Sequence, residues 1–276
     1  MDAATIVTRV RALSGITRKE LAALARVSPS TVGRIEHGTL DPTWTTLSSI
    51  LESTGFRIDG DTVASAGDPT AIAAARPVLE SLLAAAVASL GGPASGTAGA
   101  AEASRPDARP DADDWRGRWT RAGWLSDRTG ADDAVKVAVV AGNAGRIARR
   151  TVARRTVAAP DGWRALARRL AQEGVDYAVS GLVAAREDRA TAESALPVIY
   201  VDDPVRVATA LGLTDAVPGR GVQLVAPGGE ELARTEIDDG IRFVSRAQGI
   251  LDAFAGSGRE PDKAEDVLRS LLAGTA

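Results

Sequence analysis

Residues 17–38 read TRKELAALARVSPSTVGRIEHG, and two short helices can be written onto them directly. Thr17-Arg18-Lys19-Glu20 is a capping box, in which the hydroxyl and the carboxylate three residues later satisfy each other's free backbone N–H groups. Leu21, Ala22, Leu24 and Ala25 then form one apolar face. Ser28 caps a second helix, and Pro29 stands at its first position, where a missing N–H costs nothing. Val32 and Ile35 turn back to the same core. Small Ala22 and Ala25 let the two helices cross closely. Pro29, Ser30, Thr31 and Arg34 are left pointing outward. Residues 2–57 as a whole read as four or five short helices.

A second helix that stands off the body in this way can put its N-terminal side chains into a major groove. Pro29, Ser30, Thr31 and Arg34 are the candidate base contacts, with Arg34 able to hold guanine through two hydrogen bonds. Thr17, Arg18, Lys19, Ser28, His37 and Thr39 flank that helix and are the candidate phosphate contacts. The stretch resembles the XRE-type (λ-repressor/Cro-like) helix-turn-helix domains over residues 5–57, which sets a first domain at 1–60. Those domains usually carry Gln where Arg18 stands and Gly where Arg26 stands, so a left-handed Arg26 costing ~1 kcal/mol is expected. The resemblance also implies an ion pair between Arg11 and Glu36, and double-stranded operator DNA as the partner. One such domain makes few base contacts, so a homodimer reading two half-sites is expected, through the 71–90 helix or the C-terminal domain.

The rest of the chain narrows the chemistry. Among 276 residues there is no Cys and one His, which excludes thiol catalysis and cysteine-ligated metal. No cofactor, metal site or catalytic residue is expected. The N-terminus lacks the apolar core of a signal peptide, and no run is read as a membrane span, so a cytoplasmic protein without membrane contact is expected. The net charge of −3 conceals segregation: residues 146–169 carry eight basic residues and one acidic, whereas 170–276 carry ten basic and eighteen acidic. Arg146, Arg149, Arg150, Arg154 and Arg155 lie within ten residues free of acid. They suit a second DNA-backbone contact, a clasp onto the acidic C-terminal region, or a nucleic-acid-bearing partner.

Asp68-Pro69 reads as a helix start, giving a connecting helix through 61–90 with Pro77 as kink or restart. Residues 91–114, rich in Gly, Ala, Pro and Asp, read as a flexible linker. Asp114 reads as the cap of a helix that turns Trp115 and Trp119 one way, as the core anchor of a second domain. Strands are expected at 175–180, 197–202, 221–226 and 241–244. Helices are expected at 205–211, through Phe254, and at 261–272. The chain is therefore a mainly α N-terminal helix-turn-helix domain plus an α/β (α+β) C-terminal domain over 115–276, its 115–170 part helical and rich in Trp and Arg. YAVSGLVAA, VIYVDDP and DAFAGSGREPDKAEDVL resemble the C-terminal domain of AbiEi-family antitoxins. That resemblance implies an autoregulating repressor with a cognate toxin partner in a toxin–antitoxin or phage-defence locus. Two alternatives stand beside it. One is a ligand-sensing regulator. The other is a nucleotidyltransferase, for which Asp202-Asp203 and Asp238-Asp239 are poorly arranged, because adjacent strand residues face opposite ways.

Overall fold

The computed structural model describes residues 2–89, 110–189, 197–217 and 220–274. It divides into two compact units, Met1–Arg149 with Leu268–Ala276, and Arg150–Val267. The boundary expected at 114/115 therefore moves to 149/150. Of the expected linker, 91–109 lies outside the described residues, and 110–114 already belongs to a helix.

The first unit opens with α1 (Ala3–Leu13), α2 (Arg18–Ala25), α3 (Pro29–Glu36) and α4 (Trp44–Glu52). Val7, Val10, Leu21, Val32, Ile35, Ile50 and Leu51 close a common core, each at most 1% exposed. A hairpin that the helical reading missed follows, β1 (Phe56–Asp59) paired with β2 (Thr62–Ser65). Asp59 pairs with Thr62, so Gly60-Asp61 forms the two-residue turn, with Gly60 at φ +58°, and this Gly-Asp pair is the hairpin signal that was there to read. The connecting helix α5 (Thr70–Ser89) runs unbroken past Pro77. It is long and apolar enough to cross a membrane, with an 18-residue window of mean hydropathy 1.6, contrary to the expectation that no stretch qualifies. Ala71, Ile72, Ala74, Ala75 and Leu79 of this helix are nonetheless buried inside the unit.

Two more helices complete the unit, α6 (Pro110–Arg121) and α7 (Ala131–Ala144). α6 starts before Asp114, which is therefore no cap. Trp115, Trp119 and Trp124 are core anchors as expected, but of the helix-turn-helix unit rather than of a separate domain. They are 4%, 0% and 1% exposed. Gly55 marks how closely this assembly packs. Its φ is +82°, and a Cβ there would come within 2.5 Å of the Ala144 backbone nitrogen.

The second unit is built on a six-stranded mixed sheet. Its strands in chain order are β3 (Arg154–Val157), β4 (Tyr177–Ser180), β5 (Val198–Val201), β6 (Val222–Val225), β7 (Thr235–Asp238) and β8 (Ile241–Val244). They lie in the order β3-β6-β5-β4-β8-β7, with β5/β6 and β4/β8 parallel and the other neighbours antiparallel. β4, β5, β6 and β8 are the strands expected from sequence. β3 and β7 were not anticipated. Helices α8 (Gly162–Gln172), α9 (Leu182–Ala185), α10 (Pro204–Ala210) and α11 (Arg246–Phe254) accompany the sheet. Gly249 lets α11 cross α9, since a Cβ there would stand 2.8 Å from that of Ala184. The last helix, α12 (Glu260–Ala273), begins in this unit, and its residues from Leu268 onward belong to the first. The arrangement is α+β.

Candidate nucleic-acid interface

The helix pair forms as its sequence dictates. Thr17 caps α2 through its hydroxyl, and the Glu20 carboxylate accepts the Thr17 N–H at 2.7 Å. Arg26 ends α2 in the left-handed conformation at φ +55°, its N–H bonded to the Ala22 carbonyl. The chain thereby turns sharply enough for Ser28 to start α3, its Oγ accepting the Thr31 N–H at 2.9 Å. Val32 and Ile35, both fully buried, press α3 onto the core.

Burial leaves a clear outward face on α3. Pro29, Ser30 and Arg34 are exposed and Thr31 is half-buried. The hydroxyl of Ser30 and the guanidinium of Arg34 have no partner among the described residues, so their donors are free for a ligand. Thr31 is less free, because its hydroxyl lies 2.8 Å from Ser28 Oγ. One of these two hydroxyls donates to the other, which leaves a single outward proton between them.

The flanking residues differ from one another in the same way. Lys19 is exposed and unpartnered among the described residues. Thr17 donates its hydroxyl proton to Glu20 Oε2 at 2.8 Å, and Thr39 donates its own to the Arg34 carbonyl at 3.1 Å. Neither can donate to phosphate without breaking that bond. His37 Nδ1 lies 2.6 Å from the Gly33 carbonyl. A carbonyl only accepts, so Nδ1 carries the proton, and Nε2 becomes a donor only when the ring is cationic.

Arg18 is held rather than free. Glu36, with a side chain 3% exposed, accepts from Arg11 Nε at 2.6 Å and also from Arg18 Nε. The Arg11–Glu36 pair is the one implied by the resemblance. The second arginine was not foreseen, although Arg18 is the residue that departs from the family pattern. Burial alone would raise the Glu36 carboxyl, but the two guanidinium groups outweigh it and hold the group below its usual range. The triad keeps a net positive charge, and Arg18 still has both terminal nitrogens to offer.

Glu20 joins this surface to the tryptophans. Its Oε1 accepts from Trp124 Nε1 at 3.0 Å and from Lys136 Nζ at 2.7 Å. Burial works to raise this carboxyl too, but Lys136, Thr17 and Trp124 together hold it down to about 2. Trp44 is a residue that sequence reading passed over. It opens α4, just beyond α3, and its indole is 68% exposed with no partner among the described residues. The Thr43-x-x-Thr46 cap before it was the available signal.

The arginine run is a different case. Arg150 is 3% exposed and donates to Asp252 at 2.9 Å and to Tyr200 at 2.8 Å. It is an internal strut of the second unit and cannot touch DNA. Ser180, Tyr200 and Gln248 all donate to the same Asp252 carboxylate. Arg155 pairs with Asp215 at 2.7 Å, Arg149 with Asp59 at 3.1 Å, and Arg154 donates to the Arg150 carbonyl. Arg146 is half-buried. The clasp reading describes Arg150 and Arg155, whereas Arg149 serves the first unit. The acid pairs weighed for metal chemistry stay apart. Asp202-Asp203 follows β5 and Asp238-Asp239 ends β7, strands separated by β4 and β8 and hence roughly 14 Å apart.

Residues 8–60 match the family model described as helix-turn-helix. No curated protein and no solved structure matches the chain. The N-terminal region is thus a helix-turn-helix domain, the module of DNA-binding transcription regulators.

Proposed function

We propose that the chain is a cytoplasmic repressor that binds a double-stranded operator as a homodimer and serves as the antitoxin of a toxin–antitoxin or phage-defence locus. It acts by binding and not by catalysis. The observation that carries the DNA reading is the outward face of α3, where Ser30 and Arg34 hold donors that no other described residue uses. The antitoxin role is supported by the likeness of YAVSGLVAA, VIYVDDP and DAFAGSGREPDKAEDVL to AbiEi-type C-terminal domains. Two-fold binding follows from the small number of base contacts that one domain can make.

The test is selection of bound duplexes from a random library, followed by Arg34→Ala on the selected site. The variant should lose about 1–3 kcal/mol on that site and little on random DNA. Equal losses on both would remove Arg34 from base reading. Co-purification of the product of the adjacent gene, with relief of its toxicity in the host, tests the antitoxin role separately.

A further inference from the structure

The second unit carries a cleft that its architecture does not require. It measures about 600 Å³, within the range of small-ligand sites, and lies between the turn after β3 and residues 212–217 and 220–221, which follow α10. Pro160, Leu213 and Val217 give it apolar walls, and Thr214 adds a polar group. Two arginines, Arg169 of α8 and Arg220 before β6, supply its charge, and among the described residues no Asp or Glu lines it.

That charge runs against its surroundings, because residues 150–267 carry a net −4. Asp215, the carboxylate on the same segment, is held by Arg155 at 2.7 Å. The walls are fixed by backbone bonds. Ala158 N–H donates to the Thr214 carbonyl at 2.8 Å, and Ala216 N–H to the Thr156 carbonyl at 3.0 Å. Arg169 spends one donor on the Leu211 carbonyl at 2.7 Å, which fixes its guanidinium and leaves further N–H groups. Arg220 is exposed, with no side-chain partner among the described residues. A preformed apolar cleft with two unneutralised guanidinium groups selects a small anion with an apolar or planar body.

We infer that this cleft binds a phosphorylated small molecule of nucleoside monophosphate size, its phosphate between Arg169 and Arg220 and its body against Pro160 and Leu213. The inference does not depend on DNA binding, since every residue it uses lies in the second unit.

Calorimetric titration of the full chain tests it, with adenosine 5′-monophosphate, inorganic phosphate and adenosine as probes. The monophosphate should bind, phosphate should bind more weakly, and adenosine should not bind. Arg220→Ala and Val217→Asp alter exposed side chains and should leave the melting temperature unchanged. Each should weaken the monophosphate at least tenfold. Arg34→Ala should bind it as wild type does, which separates this cleft from the DNA-facing surface. Absence of binding by the monophosphate, equal binding of adenosine, or unchanged binding in both cleft variants would each overturn the proposal.

Discussion

Replacing Glu20 by Gln removes one charge from the joint between the helix-turn-helix and the tryptophan helices. Every neighbour of that carboxylate donates to it: the Thr17 N–H and hydroxyl, the Trp124 indole and the Lys136 ammonium. A glutamine has one accepting oxygen. If that oxygen keeps the cap, the amide N–H₂ faces Trp124 and Lys136, and the reverse orientation sacrifices the cap. The carboxyl is held at about 2 instead of 4.5, which taken whole is roughly 3 kcal/mol. Lys136 is 28% exposed, so solvent screening reduces this to about 2–3 kcal/mol. The sign follows from the lowered value. The contribution is complete above pH 4.5 and is lost as the pH falls from there through 2. Four of the five tryptophans belong to the first unit, so urea unfolding followed by tryptophan fluorescence reports chiefly on it. At pH 7 Glu20→Gln should be less stable than wild type by about 2–3 kcal/mol, and at pH 3 by about 1 kcal/mol. A gap that stays constant from pH 7 to pH 3, or no gap at pH 7, would refute the assignment of Glu20 as the charged tie.

Arg150→Gln should destabilise the second unit by about 3–5 kcal/mol in chemical unfolding, because it leaves Asp252 buried without its cation. Arg149→Gln and Arg154→Gln together should leave the salt dependence of DNA binding unchanged, since those arginines have protein partners. Lys19→Gln should lower the magnitude of the log–log salt slope by about 0.9 on specific and random duplexes alike, read by fluorescence anisotropy across a salt series. Gly55→Ala should lower the melting temperature sharply, because its Cβ meets the Ala144 backbone and its φ is +82°.

What could be read from sequence was local. The Thr17 and Ser28 caps and the inward Val32 and Ile35 all depend on residues a few positions apart, and their spacing fixes them, whereas the left-handed Arg26 came through resemblance. The Arg11–Glu36 pair came through resemblance, but the sharing of Glu36 with Arg18 is a tertiary fact. β3 was hidden because its sequence, RRTV, carries charges that were read as part of a run suited to DNA backbone, an acidic clasp or a nucleic-acid-bearing partner. It has one apolar anchor, Val157, preceded by Arg154, Arg155 and Thr156, and tertiary pairing with β6 outweighs the weak local pattern. Exposed β7 was missed for the same reason. The destination of the tryptophans could not be read at all. An apolar helix face states that it is buried and not what buries it, so Trp115 and Trp119 were assigned to the wrong partner.

Their true destination bears on the timing of synthesis. The face of α2 that receives α6 and Trp124 is complete once residue 65 has been made, but its cover ends at Ala144. At roughly 5–20 residues per second, the nascent helix-turn-helix spends about 4–16 s before that cover is complete, with Glu20 Oε2 already held by Thr17 but Oε1 awaiting Trp124 and Lys136. The reading head of this regulator is therefore encoded first and finished late. A ribosome stalled anywhere between residues 65 and 114 has made the caps and α3 of the helix-turn-helix, but not yet Trp115, Trp119 and Trp124, which pin it in place.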